Sequence, residues 1–184
     1  MGQEKAHDEA TTKPPPSVLD NRRIGFFGGG AMAGALVRGL LHSKSVAPDQ
    51  IRASDVKPAR LAELAGEFGI ETTADNAALV GWSNVLVVAV KPQIVDRVLP
   101  VIAANLSPQT IVISIAAGIP IDMFESALPA GARVVRSMPN TAAIALAGAT
   151  GIAAGTHASA EDMAVAQALF EAVGRCAVPI CRGT

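Results

Sequence analysis

Gly25-Phe26-Phe27-Gly28-Gly29-Gly30-Ala31-Met32-Ala33-Gly34 is the stretch on which the fold turns. It joins a short apolar run, Arg23 to Phe27, to a segment of helical period, Ala31 to His42. Within it, Gly28-x-Gly30-x-x-Ala33 has the spacing of the glycine turn that opens a strand-helix-strand unit. Each small residue has its own task. Gly28 permits the tight turn, Gly30 lets backbone come close to a pyrophosphate, and Ala33 allows the helix to sit close on the strand. The first turn of the helix then offers unpaired N–H groups to phosphate oxygens. Asp55 follows 22 residues after Ala33, at the end of the second apolar run. An acidic side chain there accepts hydrogen bonds from the adenosine ribose hydroxyls and repels a 2′-phosphate, which favours NAD. Lys57 and Arg60 lie close behind; they hold that phosphate instead, or they belong to a solvated helix face, and the choice between NAD and NADP stays open.

Working outward from the turn, short apolar runs alternate with segments of helical composition. The runs predict strands at Arg23 to Phe27, Ile51 to Ser54, Val85 to Val90, Thr110 to Ile115 and Arg133 to Ser137, with a weaker one at Thr150 to Ala154. Helices are predicted at Ala31 to His42, Pro58 to Phe68, Asn76 to Val80, Ile94 to Ala104, Ile121 to Ala127 and Ala160 to Val173. Pro58 and Pro120 suit first-turn positions, where a missing N–H costs nothing. Ser159 reads as an N-cap with Asp162 three residues on, and Gly174 as the stop of the same helix. Strands this continuously apolar are buried on both faces. The class that follows is α/β: a doubly wound, mostly parallel sheet of Rossmann type with helices on both faces. The expected division is a disordered leader over 1–21, one dinucleotide-binding domain over 22–178 and a tail over 179–184. The leader carries Glu4, Lys5, Asp8, Glu9 and Lys13, then Pro14, Pro15 and Pro16, with no apolar period and no export signal.

Composition narrows the function. The 184 residues carry 15 Lys+Arg against 16 Asp+Glu, a net charge of -1, and only 3 % aromatic residues, so neither a phosphate-backbone footprint nor a base-stacking platform exists. No apolar run is long enough to span a bilayer. With no tyrosine, any mechanism needing a Tyr general acid is excluded. Cys176 and Cys181 are too few for a disulfide framework, and His7, His42 and His157 lack the paired spacing of a metal site. A cytoplasmic protein without a metal is the reading.

Three more strand ends carry recognisable sequence: Val88-Ala89-Val90-Lys91-Pro92, Ser114-Ile115-Ala116-Ala117-Gly118-Ile119 and Arg136-Ser137-Met138-Pro139-Asn140-Thr141. Together with the glycine turn, in this order and spacing, they resemble pyrroline-5-carboxylate reductase, and the resemblance covers nearly all of Arg23 to Cys176. It implies a reductase that passes hydride from NADPH or NADH to the imine carbon of 1-pyrroline-5-carboxylate, forming L-proline. It further implies that Phe27, Gly28, Gly29, Gly30, Ala31 and Met32 wrap the pyrophosphate. Asn76 matches a cofactor-contacting asparagine, and Asp55 falls where some relatives have a small polar residue touching the ribose. Ala89, Val90, Lys91 and Pro92 match the loop after the fourth strand, and Ile115, Ala116 and Ala117 the wall beside the nicotinamide. The four motifs all fall at the carboxyl ends of strands, beyond which doubly wound sheets bind their ligands.

Three roles stay open on the residues themselves. Lys91 counters phosphate or substrate carboxylate charge, or is a surface lysine beside the proline that starts a helix. Asn140 hydrogen-bonds the carboxamide or substrate, or is a turn residue satisfying nearby backbone. Ala116, Ala117 and Gly118 leave room for a flat ring, or are packing. No residue is an evident proton donor to the imine, so positioning and the cofactor itself carry the expected rate. The sequence departs from the family in two places. The helical region of about a hundred residues that dimerises in relatives and builds much of their substrate pocket is absent, and Ala142 stands where proline usually follows Asn-Thr. Two other functions therefore stand beside the first: a dinucleotide-binding module without catalysis, and a reductase of another imine or a 2-hydroxyacid. Cofactor binding without turnover marks the one, and a test of cyclic imines against keto acids marks the other.

Overall fold

The computed structural model describes residues 17–178. Among these, one sheet is built from β1 (Ile24–Phe27), β2 (Ile51–Ser54), β3 (Glu71–Thr73), β4 (Val85–Val88), β5 (Ile111–Ser114), β6 (Arg133–Pro139), β7 (Gly148–Ala154) and β8 (Gly174–Ala177). The strand order is β3-β2-β1-β4-β5-β6-β7-β8. All neighbouring pairs are parallel except β6 and β7. The order reverses between β1 and β4, the crossover at which a crevice opens in sheets of this kind. The helices are α1 (Ala31–His42), α2 (Pro58–Phe68), α3 (Asn76–Trp82), α4 (Val95–Asn105), α5 (Ile121–Ala127) and α6 (Ala160–Glu171).

The period-two alternation of β side chains divides the core into two layers. Val85 and Val87 of β4 join Leu36 and Leu40 of α1, Leu64 of α2 and Leu169 and Phe170 of α6. Leu86 and Val88 join Leu79 of α3, Leu99 and Ile102 of α4 and Phe124 of α5 on the opposite face. Burying each of these side chains contributes roughly 1.5–3 kcal/mol before the chain entropy is set against it. Every residue of β1, β4 and β5 is buried, as their continuous apolar sequence requires.

Several boundaries shift. Val85 to Val90 shortens to Val85–Val88, and the weak strand at Thr150 lengthens to Gly148–Ala154. Pro120 is the N-cap of α5 rather than a first-turn residue. Gly174 does not close α6, which ends at Glu171; at φ +152° it begins β8. The leader gives way earlier than Asn21. Leu19 is fully buried in the layer of α1 and α6, and the Asp20 N–H donates to the Ser17 carbonyl at 2.9 Å. Two apolar residues, Val18 and Leu19, after three prolines carry no period, so the sequence hid it. Residues 1–16 and 179–184, with His7 and Cys181 among them, lie outside the described residues.

The capping box of α6 forms as its spacing predicts. Ser159 Oγ accepts the Asp162 N–H at 3.1 Å, and Asp162 Oδ2 accepts the Ser159 N–H at 2.8 Å. The same carboxylate, 1 % exposed, takes a hydrogen bond from Arg133 Nη1 at 3.0 Å and so ties α6 to β6. Ser159→Ala is expected to lower unfolding free energy by about 1 kcal/mol, read from the urea midpoint at unchanged slope. Cys176, half-buried in β8, is a packing residue: burial first, and the charge of Glu171 second, push its thiol up, away from the reactive thiolate. Among the described residues no helix is long and apolar enough to cross a membrane.

Candidate functional site

The turn from β1 into α1 is shaped by what crowds it. Gly28 has φ +102°, and a Cβ there would stand 2.8 Å from the Ala89 carbonyl oxygen. The backbones of three strands meet at this point. The Gly28 N–H donates to the Ser54 carbonyl at 3.0 Å, and the Ala89 N–H to the Phe27 carbonyl at 2.9 Å. Gly30 differs. Its φ is an ordinary -64°, and a Cβ would find only the Ala89 oxygen, 4.0 Å away. Its missing side chain leaves open space rather than relieving a clash.

That space is a cleft of about 650 Å³ between the ends of β1, β2 and β4. Of the residues singled out in the sequence, Phe27, Gly28, Gly29, Gly30, Ala31, Asp55, Asn76, Ala89, Val90 and Lys91 line it. The amino end of α1 opens here without a side-chain cap and without an acidic residue in its first turn, so the leading N–H groups of the helix have no intrahelical partner. Three cationic side chains, Lys57, Arg60 and Lys91, face two carboxylates, Asp55 and Glu63, around the cleft. The balance and the helix end both favour an anion. Ser54, also in the wall, holds a buried hydroxyl without a hydrogen-bond partner among the described residues. A diphosphate-bridged dinucleotide fits this cradle. A glycine fills no volume at its centre, polar donors stand at the uncapped helix end, and the remaining wall is apolar.

The other singled-out residues lie apart from the cleft wall. Met32 turns into the layer beneath α1. Pro92 begins a 3-10 turn, Pro92–Ile94, that leads into α4. Ile115, Ala116 and Ala117 follow β5, the next strand along; the Ile115 N–H donates to the Val88 carbonyl at 3.2 Å and Ala116 is buried. Asn140 is further off, and its side-chain oxygen accepts the Ala149 N–H at 3.1 Å. That is the turn reading of Asn140: the amide satisfies backbone across the β6–β7 connection.

The sequence reading left Ser54, Val56, Ala59, Glu63, Ile94 and Val98 out of the site, and the cleft includes them. Ile94, the N-cap of α4, and Val98 in that helix stand four residues apart, a spacing that was legible. Ser54 and Ala59 carried no signal apart from the core. Asp55 lies where expected, yet its oxygens already serve backbone: Oδ2 accepts the Gly29 N–H and Oδ1 the Lys57 N–H, each at 2.9 Å.

Strand order, glycine turn and crossover cleft together define the Rossmann class of nucleotide-binding domains. The family described as NADP oxidoreductase coenzyme F420-dependent matches residues 23–118, just over half of the chain, and the chain belongs to it. The resemblance to pyrroline-5-carboxylate reductases is borne out over a longer stretch. The chain is 44 % identical over 156 residues to the pyrroline-5-carboxylate reductase of Methanosarcina acetivorans, covering 85 % of this chain and 58 % of that protein. It is 42 % identical over 156 residues to that of Pseudomonas aeruginosa, covering 85 % and 57 %. A solved pyrroline-5-carboxylate reductase from Coxiella burnetii superposes with a TM-score of 0.82 at 30 % identity, over 88 % of this chain and 60 % of that one. The chain thus spans somewhat more than half the length of the relatives it matches.

Proposed function

We propose that this chain is the dinucleotide-binding part of an NADH- or NADPH-dependent reductase that converts 1-pyrroline-5-carboxylate to L-proline. The observation that carries the reading is the uncapped amino end of α1, opening onto a cleft in which Gly30 presents no side chain. The names of relatives at 34–44 % identity supply the substrate. A reduced nicotinamide, when bound, supplies the hydride for the imine carbon.

The residues of this chain then do the following. Phe27 to Met32 and the first-turn amides of α1 hold the pyrophosphate. Asn76 and the Ala89 to Pro92 segment border the cofactor where β4 ends, and Lys91 adds positive charge beside it. Ile115, Ala116 and Ala117 continue the rim on the next strand and give a wall of low bulk to the nicotinamide. Their work is orientation and exclusion of water, which bring donor carbon and imine carbon into near-attack geometry. The domain proper runs from 22 to 178, extended at its start by the buried Leu19. The reading carries with it a cytoplasmic location and assembly into homo-oligomers through a helical region such as the family has.

Titration calorimetry with NADH and with NADPH is the test. Heat of binding with at least one nucleotide, at one site per chain, is expected; silence with both overturns the proposal. Turnover then separates the readings. Loss of reduced-nicotinamide absorbance with 1-pyrroline-5-carboxylate, once the chain is joined to the helical part of a relative, supports the reductase. Binding without turnover in that chimera marks a non-catalytic module.

A further inference from the structure

The backbone of Gly29 is gripped on both sides of its Cα by side chains of opposite charge. Its N–H donates to Asp55 Oδ2 at 2.9 Å, and its carbonyl accepts from Arg60 Nε. Arg60 Nη2 reaches on to the Gly30 carbonyl at 3.4 Å, while Nη1 donates to Glu63 at 2.9 Å. The second oxygen of Asp55 accepts the Lys57 N–H at 2.9 Å. Both carboxylate oxygens and all three guanidinium nitrogens are thus engaged, and the backbone they hold belongs to the two turns that border the cleft. A Cβ on Gly29 would stand 2.8 Å from Leu64 Cδ1, so this backbone also lies tight against α2.

Three consecutive glycines have more backbone freedom than any other tripeptide, and ordering them costs correspondingly more. Hydrogen bonds to charged partners are the strong kind and fix direction as well as distance. We infer that Asp55 and Arg60 are positioning residues: they clamp the two peptide groups that flank Gly29, keep the turn ordered before a ligand arrives, and leave ribose and 2′-phosphate unread. This departs from what the sequence alone predicts for either side chain, and it rests on the dinucleotide reading above.

Calorimetry on the full chain tests it, with wild type, Asp55→Asn, Arg60→Met, Arg60→Lys and the Asp55→Asn/Arg60→Met pair, each titrated with NADH and NADPH. Thermal midpoints of the unliganded variants certify that folded protein is measured. Each of Asp55→Asn and Arg60→Met is expected to weaken NADH about tenfold, on the scale of a hydrogen bond to a charged group. NADPH weakens in the same direction. The double variant falls little beyond the worse single one, because both side chains hold the backbone of one residue. Arg60→Lys, keeping the charge on a single donor nitrogen, falls in between, and serves alone if Arg60→Met is unstable. The decisive result is Arg60 against NADH, a ligand with no 2′-phosphate. Unchanged NADH affinity with weakened NADPH makes Arg60 a phosphate reader and overturns the inference. Tighter NADPH with weaker NADH in Asp55→Asn makes Asp55 a ribose reader and overturns it too. If wild type binds neither nucleotide, the proposed function fails and this inference with it; if wild type binds and the variants behave as readers, only this inference fails.

Discussion

Gly30→Val should fold like the wild type and lose nicotinamide nucleotide binding by about a hundredfold or more, some 2.7 kcal/mol. The two halves of this expectation have separate grounds. Folding survives because φ at Gly30 is -64°, open to any residue, and because a Cβ meets nothing nearer than the Ala89 oxygen at 4.0 Å. Binding fails because the isopropyl group occupies the volume in front of the first-turn amides of α1, where the pyrophosphate would approach. Calorimetry and a thermal melt on the same preparation check both halves. Gly28→Val gives the contrasting case. Its Cβ would stand 2.8 Å from the Ala89 oxygen at φ +102°, so it damages the turn itself, and its melt falls together with its binding. A Gly30→Val protein that binds NADH and NADPH as wild type does would remove the pyrophosphate from this helix end.

The largest loss of stability is expected at Gly174, far from the cleft. A Cβ on this residue would lie 2.0 Å from the Gly148 carbonyl oxygen and 2.5 Å from the Gly148 nitrogen. The two glycines face each other in the β7–β8 register, with the Gly148 N–H donating to the Val173 carbonyl at 2.8 Å. The backbone is also at φ +152°, a region L side chains rarely enter. Strain and overpacking together put the cost of Gly174→Ala at about 4 kcal/mol, read from the shift in denaturant midpoint. Gly66→Ala is the control, in the last turn of α2 with nothing within 4 Å of the added Cβ; it should stabilise by roughly 0.5 kcal/mol. A Gly174→Ala protein as stable as wild type would mean that β8 does not pair with β7 as described.

The contrast between these two glycines shows where sequence reasoning reaches. Local signals carried the elements. Pro58 at the first turn and Gly69 in the left-handed region bracket α2, so both of its ends were legible. The glycine turn, Asp55 and Asn76 were legible as cleft residues because strand ends in a doubly wound sheet share one rim. What escaped depends on partners distant in the chain. β3 is three polar residues held by parallel pairing with β2, with an ion pair of Arg52 and Glu71 beside it. β8 exists because two glycines let backbones touch, and a glycine after a helix reads first as a stop. Asp55 was placed correctly and its partners were not, since no spacing in the sequence tells whether a carboxylate faces a ribose or the amide of Gly29.

Trp82 ends the helix whose first residue, Asn76, lines the cleft, and its indole lies under the Arg52 guanidinium at 4.5 Å. The chain has one tryptophan and no tyrosine. Near-ultraviolet emission therefore originates from a single chromophore at a known place. Its absorption band overlaps no other strong emitter, and the band of a reduced nicotinamide overlaps its emission. The protein carries a built-in optical gauge, by which quenching reports occupancy of the neighbouring crevice without any label.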